Sequence, residues 1–583
     1  MKSNNPFCFA RLSLWMLLPI LYMIGSSVRI ARGQTNGQTI RVDFGGREYR
    51  QYPIPSNWLG LNDAFGWGAA EPTAVADLQT AGYRVVRGGV YMPDVFPLPG
   101  QTNFQSLQTL MANYHASGFA PLIDIAYTPF WLQSGVNYCA SGVDQHHNPP
   151  SPAGYTLYGE LAAQVVHYLD TNYPGIVSAY EIWNEPDSPQ YLCAPTSGLR
   201  QNFYLNIFGA AAQAMYQQWR QDDAAYFQQA GRHLPAIQIG GPVLANVYAD
   251  ENSGQDWIAP FLGDNSIYTS YDTTNHKVTD DISFFDFHDY ITGALMADNE
   301  DWNGENGAEW HLLQMTQGTQ AINPPIPGPS YDPSPAQVYE QISTGIEQAV
   351  QQGYLPHKVP IYLTEYNASG GSTSTDAVRY RQSSPYGYVW NALFITDLLN
   401  SVYRGAIAPP AQLDYFAGRF SPQGKDQLCL LDSDPAGNQY RCVFDGHMVA
   451  PLPQYYFYDL LGNPNYLGLE SGGTFMAKSV QTDPTLAQNQ VVATGMTTPN
   501  SDIILIVNNS TLDYTSAAAG PITLRLEDSG WKPPTSAILY QVNSDSISAT
   551  RVKVLPHGED ELRVKVAVPA LSVIAVSVQG RNE

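Results

Sequence analysis

Cations are scarce in this chain. Of its 583 residues only 28 are Lys or Arg, against 52 Asp or Glu, for a formal net charge of −24. A surface so poor in positive charge cannot neutralise a phosphate backbone or an anionic lipid sheet, which argues against nucleic acid and anionic membranes as partners. It fits a protein that acts on neutral or cationic material. Charged residues of either sign make up only 14% of the chain, and no acidic block forms that would read as a disordered tail. Cysteine is rare as well: there are five, with no Cys-x-x-Cys pair, so no metal site is expected. No internal repeat appears, and beyond the N-terminus no stretch reads as membrane-spanning.

The exception is the start. Lys2 and Arg11 precede the uncharged run "LSLWMLLPILYMIGSSV" (12–28), and Ala31-Arg32-Gly33 follow with small residues. That order reads as a secretory signal over residues 1–33, the alternative being an uncleaved N-terminal anchor. Either way the protein is secreted, periplasmic or on the cell surface. Cys8 falls in the signal. In an exported chain the other four, Cys139, Cys193, Cys429 and Cys442, suggest two disulfides, with three connectivities open. Cys429 with Cys442 would close a short loop, and Cys139 with Cys193 would tie two Gly/Pro/Ser-rich loops. Free thiols are the alternative. Asn508-Asn509-Ser510 fits the N-glycosylation pattern, its use set by the host.

Aromatic residues and turn formers are plentiful: 38 Tyr, 11 Trp, 49 Gly and 43 Pro. They suit a large core with long shaped loops, and the length suggests more than one domain. From residue 57 short apolar runs alternate with amphipathic helical segments. The runs include "YRVVRGGV", "APLIDIAY", "GIVSAYEIW", "AIQIGGP", "ISFFDFHDY" and "VPIYLTEYN"; "YGELAAQVVHYL" and "YVWNALFITDLLNSVY" are amphipathic helices between them. Near-continuous apolar strands alternating with helices imply a parallel sheet covered on both faces. About eight such units over roughly 400 residues predict a (β/α)8 barrel, an α/β fold, over residues 57–465. From residue 466 to 583 the helical period gives way to short alternating strands, predicting an accessory antiparallel β-sandwich. The strand in "TIRVDFGGREY" predicts that residues 34–56 join that sandwich.

In such a barrel, chemistry sits at the C-terminal ends of the strands. Glu185 ends "GIVSAYEIW" and is followed by Pro186 and Asp187, which stop regular structure. Glu365 ends "VPIYLTEY". Two carboxylates at one barrel mouth supply what glycoside cleavage requires: an acid for the leaving oxygen and a partner for the anomeric carbon or a water. Glu181, two residues before the loop, is expected to make structural hydrogen bonds beneath the site. Trp67 could stack on a sugar or belong to the core.

Together "EIWNEPD" and "LTEYN" resemble the retaining glycoside hydrolases of clan A, and their wording is most similar to glycoside hydrolase family 39, the β-xylosidase and α-L-iduronidase family. "IGGP" (239–242), "YTPFWL" (127–132) and "FHDY" (287–290) are similar to further strand motifs of that family. The resemblance implies Glu185 as acid/base and Glu365 as nucleophile. It implies Asn184 on the sugar 2-hydroxyl, Tyr290 on the nucleophile, His288 on substrate or acid/base, and Arg87 beside Glu365, favouring its charged form. Tyr127 and Trp131 follow the third strand, where aromatics can stack on sugar faces. Tyr366 stands where the family often has Trp, and "LDYFAGRFSPQG" (413–424) lacks the usual Trp of the eighth strand.

The expected function is an exported retaining glycoside hydrolase of oligo- or polysaccharides, a β-xyloside being the first substrate to try. Its partner is carbohydrate, with no cofactor and no metal. The alternatives are a non-catalytic carbohydrate-binding surface protein and a transglycosylase using the same two glutamates.

Overall fold

The computed structural model describes residues 38–45, 51–62, 72–245, 247, 256–263, 282–289, 335–366, 385–404, 406, 408–416, 431–432, 450–451, 453–477, 479–488, 491–509, 512–515, 519–527, 536–557 and 561–579. The signal segment 1–33, Trp67, Tyr290, Cys429 and Cys442 lie outside the described residues.

Eight parallel strands close on themselves: β1 (Leu59–Asn62), β2 (Val85–Tyr91), β3 (Ala120–Ala126), β4 (Ala179–Ile182), β5 (Ile239–Leu244), β6 (Phe284–Asp289), β7 (Ile361–Tyr366) and β8 (Gln412–Phe416). Each pairs with the next in sequence and β8 returns to β1. This is the predicted (β/α)8 barrel, and each apolar run named above supplies one of its strands. Around it run α1 (Pro72–Thr80), α2 (Gln105–Ser117), α3 (Tyr155–Asn172), α4 (Ser197–Ala230), α5 (Ile258–Leu262), α6 (Pro335–Gln351), α7 (Pro385–Arg404) and α8 (Pro453–Gly462). In α3 the residues Tyr158, Leu161, Ala162, Val165, Val166 and Leu169 are buried, the stripe that a 3.6-residue period predicts. A side chain at Gly159 would stand 2.4 Å from the Ala210 carbonyl oxygen, so only glycine lets α3 and α4 approach this closely.

The barrel interior is layered. Val85, Leu122, Ala179 and Phe284 fill the bottom, with Tyr362 stacked 4.2 Å from Phe284. Two residues further along each strand the side chains again point inward, and there the chemistry changes. Arg87, Asp124, Glu181, Asp286 and Asp414 form a polar storey, all of them buried. Asp414 takes the space beside β1: a side chain at Gly60 would sit 1.7 Å from its Oδ1.

Strands within residues 39–53 and 474–579 form a two-sheet sandwich. One sheet orders Val480–Thr482, Thr39–Asp43, Ile522–Glu527, Glu561–Val566 and Val554–Pro556. The other orders Ile547–Val552, Ser536–Val542, Ser572–Gln579, Ser501–Asn508, Val491–Thr498, Thr474–Met476 and Gln51–Pro53. The N-terminal segment thus contributes a strand to each sheet. One pairing departs from the antiparallel expectation: Thr39–Asp43 runs parallel to Ile522–Glu527. The connection between them spans the whole barrel, so no hairpin imposes an antiparallel pairing. Asn508 is buried, its amide nitrogen donating to the Leu512 and Pro569 carbonyls at 2.9 and 2.7 Å, which closes that position to a glycan in the folded protein. No helix among the described residues is long and apolar enough to cross a membrane.

Candidate active site

The C-terminal ends of β3, β4 and β5 carry non-glycine residues in the left-handed region: Tyr127 (φ +72°), Trp183 (+76°), Glu185 (+45°) and Val243 (+57°). Each such residue costs roughly 1–3 kcal/mol and persists only where its surroundings hold it. Here they do. The Trp183 N–H donates to the Ile125 carbonyl at 2.9 Å and the Glu185 N–H to the Val243 carbonyl at 3.1 Å. The Trp183 indole donates to the Tyr191 carbonyl at 2.9 Å. Arg200 grips the following turn through the carbonyls of Asp187 (2.9 Å) and Leu192 (3.0 Å). A disulfide, Cys139–Cys193, then ties the loop after β4 to the loop after β3. The Cys193 N–H adds a bond to the His147 carbonyl at 2.9 Å. A disulfide points to an extracellular or periplasmic setting.

Glu365 reaches the same mouth by a different device. Tyr362 faces the interior, so strict alternation would aim Thr364 inward and Glu365 outward. The pairing of β6 with β7 shifts register between Phe287 and His288, leaving Thr364 unmatched. This bulge turns Glu365 into the barrel.

The two glutamates meet across His288. Its Nδ1 lies 2.8 Å from Glu185 Oε1 and 3.4 Å from Glu365 Oε2. One nitrogen of His288 and one oxygen of each glutamate fall within 4.8 Å of one another. His288 Nε2 is buried without a partner, so the ring proton belongs on Nδ1, where it has acceptors. Burial pushes the His288 pKa down to about 4, Glu365 opposing the shift, so at neutral pH the ring is an uncharged donor. These are also the one His-and-carboxylate trio among the described residues close enough to grip a cation; their hydrogen bonding already accounts for the spacing.

Arg87 organises the other side. Its Nε donates to Glu181 Oε2 at 2.5 Å, one terminal nitrogen to Glu365 Oε1 at 2.6 Å and the other to Asn184 Oδ1 at 3.0 Å. Asp124 lies 3.8 Å away. Glu365 is therefore ion-paired, while Glu185 carries no such partner. Burial raises the Glu185 pKa to about 7 against the opposing pull of Arg87. One carboxyl thus keeps its proton near neutrality beside another held against a cation, an arrangement suited to acid and nucleophile.

Of the residues singled out from sequence, Glu185, Glu365, Arg87, Asn184 and His288 are brought into this one hydrogen-bonded group. Tyr127 stands beside it, hydrogen-bonded to Asn184, with its ring edge-on to Trp183 at 5.4 Å. Trp131 is not part of the group; its indole donates to the Phe96 carbonyl at 2.8 Å. Glu181 lies beneath the site, as expected. Sequence reasoning missed Asp124, Asp286 and Asp414, although a lone carboxylate in an apolar run is itself a signal. It also missed Tyr191, whose hydroxyl pKa is raised chiefly by the Glu185 charge.

No known sequence-family profile matches the chain. No curated protein matches it either. Solved structures do match in fold. A monomeric β-xylosidase from Caulobacter crescentus CB15 superposes with TM-score 0.55 at 15% identity, over 94% of this chain and 100% of that one. A glycoside hydrolase family 39 enzyme from Xanthomonas axonopodis pv. citri gives 0.55 at 14%, over 95% and 99%. A family 30 endoxylanase from Clostridium papyrosolvens C71 gives 0.53 at 14%, over 93% and 100%. At such identities the likeness is one of fold: these proteins share the barrel-plus-sandwich architecture built here by residues 38–579.

Proposed function

We propose that the protein is a retaining O-glycoside hydrolase of oligo- or polysaccharides. The observation that carries this reading is that Glu185 and Glu365 meet at the mouth of one barrel, an oxygen of one within 4.8 Å of an oxygen of the other and both against His288. Retaining glycosidases keep their carboxyls about 5–5.5 Å apart, inverting ones about 6.5–9.5 Å. Glu365, ion-paired to Arg87, attacks the anomeric carbon while the Glu185 carboxyl protonates the departing oxygen. A glycosyl ester forms on Glu365 and the aglycone leaves. Glu185, now a carboxylate, takes a proton from water as the water oxygen attacks the same carbon, and Glu365 is released. The Asn184 carbonyl is held by Arg87, which leaves its amide hydrogens to donate to the sugar 2-hydroxyl and to Tyr127.

The substrate class follows more loosely. The net charge of −24 disfavours polyanions. The fold is shared with a β-xylosidase and an endoxylanase, so β-xylosides and xylan come first. The test is a panel of aryl glycosides and neutral polysaccharides, with proton NMR of the first-formed anomer. The reading expects cleavage with retention, a loss of at least about 10³-fold in kcat for Glu365→Gln, and a folded variant. Inversion, or an active Glu365→Gln, overturns it. Wild type that binds sugar without cleaving would mark a binding protein. Products longer than the substrate would mark a transglycosylase.

A further inference from the structure

The storey beneath the catalytic pair holds more acid than its cation can balance. Arg87 on β2 interacts with Asp124 on β3, Glu181 on β4, Asp286 on β6, Glu365 on β7 and Asp414 on β8. Those are five carboxyls around one guanidinium. His288, just above, is neutral, and Tyr362 on β7 faces both Asp286 and Asp414. From β5 comes only a backbone group: the Val243 N–H donates to Asp286 Oδ1 at 2.7 Å. Asn62 on β1 bears no charge.

Within this storey two acids touch. Glu181 and Asp286 are each fully buried, and their carboxyls lie within hydrogen-bonding reach of one another. Glu181 Oε2 is taken by Arg87 and Asp286 Oδ1 by Val243. The other oxygen of each, Glu181 Oε1 and Asp286 Oδ2, meets no N–H or hydroxyl donor. Two carboxylate oxygens cannot bond without a hydrogen between them, and two bare charges buried together are strongly unfavourable. A single proton resolves both difficulties.

We propose that Asp286 is an un-ionised carboxylic acid that holds Glu181 through one shared proton, and that this pair sets the Arg87 guanidinium against Glu365. The proton sits on Asp286, because Glu181 has the guanidinium and Asp286 has only a peptide N–H. Asp286 is therefore a positioning residue. It fixes Glu181, Glu181 fixes the Nε edge of Arg87, and the remaining nitrogens of that planar group then have one direction in which to present themselves to Glu365 and Asn184. Burial pushes the Asp286 pKa well up, with Glu181 adding to the effect and Val243 and Arg87 opposing it. The role given to Glu365 rests on the glycosidase reading above; the protonation of Asp286 does not.

Two measurements on the full chain test this. Infrared spectra in heavy water distinguish un-ionised carboxyls from carboxylates. Wild type is expected to keep un-ionised carboxyl absorption about one pH unit above the Glu185 titration, and D286N to lose part of it. No such absorption in wild type, or none lost in D286N, overturns the proposal. Asp124, Asp414 and Glu470 are also pushed up by burial and share the wild-type absorption, so the loss assigned to Asp286 is read from D286A where D286N does not fold; neither spectrum depends on turnover, so this failure differs from that of a protein cleaving no glycoside. The second measurement is kinetic. D286A should lose about tenfold or more in kcat with a smaller rise in KM, since the nucleophile is misplaced while Asn184 loses only the support of Arg87. D286N, which keeps a donor toward Glu181, should recover most of the loss and leave the alkaline limb of the pH profile where it was. Were Asp286 a carboxylate, D286N would remove a buried negative charge and move that limb acidward by about half a unit or more. A D286A enzyme melting lower but with kcat unchanged would leave Asp286 structural only and sink the proposal.

Discussion

Glu185 works against the fold that holds it. Its carboxyl ionises near its usual value of 4.5 in the unfolded chain and only at about 7 in the folded one. Between those values the native state binds more protons than the unfolded state, so stability falls as pH rises through this window and levels off above it. Glu185→Gln removes the ionising group. The variant should gain roughly 2 kcal/mol relative to wild type on going from about pH 5 to about pH 8, read from paired urea titrations. With Glu185 as the proposed acid, activity should show the matching cost: wild-type kcat/KM falls as pH rises through about 7, where this carboxyl loses its proton. Equal stability shifts at both pH values would mean that burial is not what keeps Glu185 protonated. This residue and its partner were legible in the sequence because their neighbours are distinctive: a Trp-Asn before Glu185, Pro186 after it, and Leu-Thr before Glu365. The inward aim of Glu365 was not legible, since alternation from Tyr362 puts Thr364 inside and only the bulge reverses this. The acids at 124, 286 and 414 were visible as single charges in apolar runs. Their meaning depends on which strands close the barrel, and that is a long-range fact.

At the scale of elements, the loops after β3 and β4 form one clasped unit around Glu185. Cys139 and Cys193 are 54 residues apart in sequence, and His147 closes the same seam by accepting the Cys193 N–H and pairing its ring with the Gln190 carbonyl at 2.5 Å. Cutting the bond frees a long loop in the unfolded chain, worth about 2–4 kcal/mol by chain entropy. It also releases the turn that keeps Glu185 at positive φ. The double variant Cys139→Ser/Cys193→Ser should therefore melt several degrees lower. Below its melting point it should also lose kcat, because the left-handed Glu185 no longer has a fixed surround. Full kcat alongside a lowered melting temperature would show that the backbone bonds from Glu185 to Val243 and Ser188 suffice by themselves. The elements were readable from period: helix α3 and the strand runs follow their buried stripes residue by residue. The parallel pairing of Thr39–Asp43 was not, because its partner lies more than 480 residues away and no turn chemistry links them.

In the whole molecule, one face of the seven-stranded sheet binds the two halves, and its strand Ser501–Asn508 shows how. Ser501–Asn508 is buried on both faces. Ile504 and Ile506 point into the sandwich core, whereas Ile503, Leu505 and Val507 join the hydrophobic cluster shared with the barrel helices α7 and α8. The sandwich is thus a wall of the barrel's own core. Its removal would expose the flank of α7 that packs on this sheet. Two substitutions on adjacent residues separate the alternatives. Leu505→Ala opens a cavity on the barrel side and should cost about 3 kcal/mol. Ile504→Ala opens one inside the sandwich at a similar cost. If the halves unfold as a unit, calorimetry gives one transition in both variants, and loss of activity tracks it in each. If the sandwich is independent, Ile504→Ala splits the transition and activity survives the first melt. The continuous burial along this strand favours the single transition.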